Sequence, residues 1–319
     1  MGKSSQQQGK MKANMVRYRQ LKYPREEHFM SYKIVTDSSC NLPETLIEEL
    51  ELEVLPLVFM ADGKEYQSYL KGQVTDLKQF YTMMREGKIF TTSLPNLSDA
   101  QEVFENIFKR GEDILYLGFS SGLSGTYEGM RNIGKDLAEQ YPERTFASVD
   151  TLAASVGQGL IVYYAAKMRQ EGKALDEVEQ WVRDNRLHLA HWFTVDDLMF
   201  LFRGGRVSRT AAFAGSLLNI KPVLHVDNDG LLIPMEKTRG RKKSIQALVK
   251  HMEDTITEPI AEQVIGISHG DCFEDVKYLQ KLITEKFGVE NYLVNYVDPV
   301  IGAHSGPGTL ALFFLASER

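Results

Sequence analysis

The chain has 319 residues, 43% of them hydrophobic and 25% charged, with a formal net charge of −6; this argues against extended disorder and fibrous folds and suggests two domains. Residues 1–30 hold seven Lys/Arg against two Glu, so residues 31–319 carry about −11, too acidic a body for a broad claim on DNA or RNA. No apolar run approaches the ~20 residues of a membrane helix. Nor does a signal-peptide core open the chain. Cys40 and Cys272 lack metal-ligand spacing and read as reduced thiols of a cytoplasmic protein.

Residues 1–30 are polar, Gln-rich and basic, and read as a disordered leader. Tyr32–Thr36 is a short buried strand ending in the polar turn Asp37-Ser38-Ser39. Asn41 is expected to cap a helix with Pro43 in its first turn. Val54–Phe59 reads as a second strand, closed by the hairpin signal Asp62-Gly63. A helix fits Asp76–Glu86, and the stretch Thr91–Asn96 reads as a loop. Ser98 and Gln101 form a capping box for a helix to about Arg110. Strands at Ile114–Gly118 and Thr145–Val149 alternate with helices ending near Gln140 and Gln170. This strand–helix order, with continuously apolar strands, predicts a mostly parallel sheet with helices on both faces over residues 31–187. Ligands in such domains sit at the carboxyl ends of the strands.

After a helix at Leu175–Arg186 the pattern changes. Strands fit His191–Val195, Lys221–Val226 and Leu231–Met235, the last two joined by the turn Asp227–Gly230. Helices fit Arg241–Met252 and Phe273–Phe287, with strands at Gln263–Ser268 and Glu290–Val297. A Gly-rich loop is expected from Val300 to Thr309. Residues 188–319 therefore read as an α+β domain.

Polar residues concentrate at three places. Thr92 and Ser93 offer hydroxyl donors, and 118–126 is a Ser- and Gly-rich strand-to-helix turn suited to an anion. His304 stands among glycines that permit close approach of a ligand. His269 is a second candidate, whereas His188, His191, His225 and His251 read as scaffold. Arg203 and Arg206 flank a glycine pair. Lys237, Arg239, Arg241, Lys242 and Lys243 form a basic patch that suits an acidic partner face. Gly118–Gly122 matches the G-x-S-x-G nucleophile elbow, which makes a Ser-His-Asp acyl hydrolase using Ser120, with Asp271 or Asp298 and His304, the alternative function. No phosphate-binding glycine motif and no metal-ligand cluster occurs in the sequence.

Six segments in register resemble the DegV family of bacterial fatty-acid-binding proteins. They are Val35–Ser38, Thr92–Pro95, Ser121–Tyr127, Val149–Thr151, Leu201–Val207 and His304–Gly308. The resemblance implies an N-terminal α/β domain, a C-terminal α+β domain and a long-chain fatty acid near their junction. It assigns carboxylate contacts to Thr92, Ser93 and Ser124, completed by His304. It gives Arg203 and Arg206 a role near the head group or at a partner surface. Characterised members act as carrier subunits that present a bound fatty acid to a separate ATP-dependent fatty acid kinase, which makes acyl phosphate for phospholipid synthesis. The implied ligand has roughly 16–18 carbons, a size at which tail burial dominates binding. No cofactor, no nucleic acid and no transmembrane segment are expected, only transient contact with a membrane surface.

Overall fold

The computed structural model describes residues 31–73, 75–208 and 220–319; the leader expected at 1–30 lies outside them. β1 (Tyr32–Asp37) leads through α1 (Glu44–Glu49) to β2 (Glu53–Leu55). The apolar run expected as one strand over 54–59 is broken at Pro56. β2 lies parallel to β1, whereas β3 (Val58–Ala61) turns away and pairs antiparallel with β4 (Lys64–Gln67). A proline has no N–H to give a ladder, so the chain can leave one sheet for another there. The expected turn between β3 and β4 is present, with Asp62 and Gly63 at φ 52° and 73°.

α2 (Leu77–Arg85) starts at Asp76, whose carboxylate accepts the Gln79 N–H. The stretch read as a loop after it contains β5 (Thr91–Ser93), which pairs with β3. α3 (Leu97–Lys109) is capped by Asn96 instead of Ser98: the Asn96 side chain accepts both the N–H and the hydroxyl of Ser98. Asn and Ser are near-equal caps, so the pattern alone did not separate them. β6 (Asp113–Gly118), α4 (Thr126–Gln140), β7 (Phe146–Asp150), α5 (Ser155–Gln170) and α6 (Leu175–Asn185) follow.

The four strands of this region pair in parallel in the order β2-β1-β6-β7. Successive side chains alternate between faces. Ile34, Leu115 and Leu117 share a core with Val156 and Leu160 of α5. On the other face, Val35, Ile114 and Tyr116 pack with Phe104 of α3 and Met130 of α4. Both faces are covered, which explains the continuously apolar strands.

Asn41 does not cap α1; Pro43 holds that position. Asn41 adopts φ 50° and its amide donates to the Ser38 carbonyl. Its side-chain oxygen accepts from Ser155 Oγ at 2.7 Å and from the Asp298 N–H at 3.3 Å. Asparagine tolerates the left-handed region and carries both donor and acceptor, which suits a junction better than a cap.

The second region is α+β, as expected. It contains β8 (Leu189–Thr194), α7 (Met199–Arg203), β9 (Ile220–Val226), β10 (Leu232–Arg239), α8 (Arg241–Thr255), β11 (Ile265–His269) and α9 (Phe273–Phe287). β12 (Tyr292–Tyr296), α10 (Pro299–Ser305) and β13 (Leu310–Leu315) complete it. Among the described residues these strands form a six-stranded sheet, β10-β9-β8-β13-β11-β12, antiparallel except for β11–β12. One face, through Trp192, Ile267 and Leu312, packs on Leu248 of α8 and Leu279 of α9. The opposite face carries Phe193, Ala311 and Phe313, which join the core of α5.

The Gly-rich loop expected at 300–309 is half helix. Asp298 caps α10, accepting the N–H groups of Val300 and Ile301, and Pro299 opens its first turn. An acidic cap followed by proline is a helix start, and the glycines at 302, 306 and 308 masked it.

Candidate functional site

A cavity of about 300 Å³ opens between the parallel sheet's loops, α10 and the α5-facing side of the six-stranded sheet. Most of its wall is apolar: Leu57, Phe119, Leu123, Phe193, Val300 and Phe313 line it along with further aliphatic side chains. Thr92, Ser93, Ser124, Arg206 and His304 also line it. Four of the five residues predicted to bind ligand therefore meet in one cavity, with Arg206 added.

Each is positioned by its element. Thr92 sits on β5, held in register opposite Phe59 of β3. His304 occupies the last turn of α10. Thr92 Oγ1 and His304 Nε2 share a 2.7 Å hydrogen bond across 212 positions of sequence. Burial pushes the His304 imidazole down to about 4, and the nearby Arg206 charge adds to the effect. The ring is therefore neutral at pH 7, with one donor and one acceptor nitrogen. Gly204 makes room for it: a Cβ there would lie 2.2 Å from His304 Nδ1.

Ser124 Oγ lies 2.8 Å from Thr126 Oγ1 and accepts the Thr126 N–H at 3.2 Å, at the start of α4. Ser93 is exposed at the rim. Arg206 is half-buried; its guanidinium donates to the Leu123 carbonyl at 3.1 Å and to the Gly204 carbonyl. No carboxylate pairs with it among the described residues. Burial depresses its pKa from the usual arginine value, yet an arginine remains charged. Hydroxyls, a neutral imidazole and a cation with no carboxylate partner among the described residues, in a largely apolar cavity, suit an amphiphile with an anionic head.

Arg203 stands apart from this lining. Its guanidinium lies over the Phe200 ring, 4.6 Å from the centroid, and faces a neighbouring pocket of about 390 Å³. That pocket shares Thr92, Arg206 and His304 with the cavity and adds Lys88. The basic patch divides. Arg239 and Lys242 are exposed. Arg241 is instead tied into the fold, donating to Asp275 at 2.8 Å and to the Gly308 carbonyl at 2.6 Å. Arg241 therefore joins α8 to α9 and the β13 approach, and a free docking role for it fails.

The nucleophile elbow fails as well. Ser120 is fully buried, donates to the Gly230 carbonyl at 2.9 Å and accepts the Gly122 N–H. Its hydroxyl is committed to structure, and His304 is bonded to Thr92. His269 packs against Tyr296, with ring centroids 4.2 Å apart, and does not line the cavity. Several polar cavity residues escaped the sequence reading: His191, taken as scaffold, lies in the wall with Ser155 and Ser268. A lone histidine in an apolar strand carries no signal that separates the two. Among the described residues no group of His, Cys, Asp and Glu is arranged to hold a metal, and no helix is long and apolar enough to cross a membrane.

A family model described as "Uncharacterised protein, DegV family" matches residues 31–317. The chain belongs to the DegV family. It is 45% identical over 288 residues to a DegV domain-containing protein of Clostridium perfringens, covering 90% of this chain and 98% of the relative. Solved structures of family members superpose on it. A fatty-acid-binding DegV family protein of Thermus thermophilus gives a TM-score of 0.80 at 31% identity, over 90% of this chain and 100% of that one. A DegV lipid-binding protein of Thermotoga maritima gives 0.79 at 29% identity, over 91% and 100%. DegV of Bacillus subtilis, also a fatty-acid-binding protein, gives 0.77 at 27%, over 90% and 100%. Fatty acid binding is thus an activity of several DegV relatives.

Proposed function

We propose that this DegV protein holds a long-chain fatty acid in the cavity and presents its carboxylate to a separate ATP-dependent kinase, which forms the acyl phosphate for phospholipid synthesis. One observation carries the binding reading: a half-buried arginine, with no acid partner among the described residues, lines a largely apolar cavity together with Thr92, Ser124 and His304. A saturated chain of about 16 carbons buries roughly 15 methylene and methyl groups, a gross gain of about 12 kcal/mol before the costs of association. The tail supplies affinity. The head needs partners, because a carboxylate without them is expensive to bury. Thr92, Ser93 and Ser124 provide hydroxyls, His304 a neutral ring and Arg206 the charge.

The adjoining pocket supports the transfer step. It shares Thr92, Arg206 and His304 with the cavity, so a carboxylate there is reachable by a phosphoryl donor passing Lys88 and Arg203. Arg239 and Lys242 offer an exposed basic face to the kinase. Loading by transient contact with a membrane surface and a cytoplasmic location fit a carrier that serves an ATP-dependent enzyme.

Mass spectrometry of lipid released by denaturing the purified protein tests the binding reading. Fatty acid of roughly 16–18 carbons at about one per chain is expected. Its absence, even after incubation with excess fatty acid, defeats the proposal. For the transfer step, His304→Ala is expected to lower kinase-coupled acyl phosphate formation more than it lowers retained fatty acid. Unchanged formation argues against a role for His304 in transfer.

A further inference from the structure

The cavity wall holds a second polar cluster, joined to the head-group residues by no hydrogen bond among the described residues. His191 of β8 is 1% exposed and lines the cavity between Phe193 and Phe313. Its Nδ1 lies 2.9 Å from the Leu189 carbonyl. A carbonyl only accepts, so Nδ1 carries the hydrogen and Nε2 is left as an acceptor. That Nε2 is buried and has no partner among the described residues. Burial holds the ring's pKa well below the ordinary histidine value, with the Arg319 charge adding to the effect, so Nε2 stays unprotonated.

Nε2 faces the first turn of α5. A Cβ on Gly157 would lie 2.3 Å from it, so only glycine lets the ring approach. This helix starts at Ala154, which has no side-chain group to cap it. Its first-turn N–H groups therefore have no intrahelical acceptor and remain available to a ligand oxygen. Ser155 in the same turn and Ser268 of β11 also line the cavity. Ser155 Oγ lies 2.7 Å from Asn41 Oδ1, to which it donates, and 2.8 Å from Ser268 Oγ. One small region thus offers an orphan acceptor, uncapped N–H donors and serine oxygens, next to the apolar Phe193 and Phe313 of the same wall.

We infer that this cluster is a subsite for a hydroxyl group carried on the acyl chain, making monohydroxylated long-chain fatty acids the preferred ligand class of the cavity. The inference rests on the acyl-binding reading above. A secondary alcohol both donates and accepts, so it can give its hydrogen to His191 Nε2 and take one from the first turn of α5. A methylene leaves Nε2 unpaired. A carboxylate cannot donate to Nε2, so the cluster does not compete with the Arg206 end for the head group.

The test uses the delipidated full-length chain and displacement of a fluorescent fatty acid. Stearic acid is compared with a positional series of monohydroxystearic acids. One isomer, or two adjacent ones, is expected to bind at least about tenfold tighter than stearate, the effect of pairing one buried acceptor. In His191→Phe the ratio of hydroxystearate to stearate affinity should fall to near one. Ser268→Ala, a truncation that adds no bulk, should lower the same ratio and serves if the larger ring does not fit. If wild type binds stearate but prefers no isomer, the subsite is wrong. A preference that survives both substitutions overturns it equally. Failure of stearate itself to bind removes the acyl reading and the subsite with it.

Discussion

The Ser-rich turn after β1 and the polar residues around His304 look alike in composition, yet their hydrogen bonds divide them into two kinds. At the carboxyl end of β1, Asp37 accepts from the Phe119 N–H and the Tyr116 hydroxyl at 3.0 Å each, from the Ser39 N–H and hydroxyl, and from Gln158 at 3.3 Å. Burial raises the Asp37 pKa, and these bonds pull it back. The cluster is saturated, and it ties β1, β6 and α5 together. Around His304, by contrast, each group makes only one or two bonds, no carboxylate pairs with Arg206 among the described residues, and Thr92, Ser124 and Arg206 line a cavity. The enclosed cluster can only hold the fold, whereas polar groups that also face a cavity can be engaged by a ligand.

Substitutions can break the contrast. Asp37→Ala strands several buried donors at once and is expected to cost about 3–5 kcal/mol of unfolding free energy in urea denaturation. A loss under about 1 kcal/mol would mean the network is not structural. Gly204→Ala keeps an allowed backbone, φ −71°, but drives a methyl into the His304 ring. It should lower fatty acid affinity about tenfold, or about 1.4 kcal/mol, in a displacement assay. Unchanged affinity would show that the ring's position does not matter. Thr92→Val and Ser124→Ala remove one hydroxyl each and should weaken binding by about 1 kcal/mol apiece. Full retention of fatty acid by the double variant would refute the head-group assignment.

A pH slope tests the same contrast from another side. The His304 pKa falls from 6.5 to about 4 on folding. A depressed pKa means that the folded state resists protonation. Its contribution to stability is present above pH 6.5 and is lost as pH falls toward about 4. The stability difference between wild type and His304→Gln should therefore shrink across that window. Asp298, raised from 3.8 to about 6 chiefly by burial, works in the opposite sense. Its contribution is present below 3.8 and lost as pH rises through 6, so only the difference between the two proteins isolates the histidine. A flat difference would mean that folding leaves the proton affinity of the ring unchanged.

Much of this architecture is legible in the sequence because periodicity reports burial. The strands of the parallel sheet are apolar on both faces, and α5 is apolar nearly all round because it lies between two sheets. Three things were not legible, for one physical reason. Pro56 splits a continuous apolar run between two sheets, Asn41 serves residues 114 and 257 positions away, and the Ser120 hydroxyl is consumed by a carbonyl 110 positions on. Each outcome is decided by tertiary neighbours, which local pattern does not encode. At the candidate site, the family resemblance singled out Thr92, Ser124 and His304, which line one cavity. Neither the separation of Arg203 from the cavity nor the place of His191 in its wall had a local signal.

β13 occupies an inner position in the six-stranded sheet, between β8 and β11, and supplies Ala311 and Phe313 to the cavity floor. During translation, β8 and β11 emerge before the strand that must lie between them. The floor stays split until residues 310–315 leave the ribosome, so a nascent chain that lacks them has no finished cavity wall.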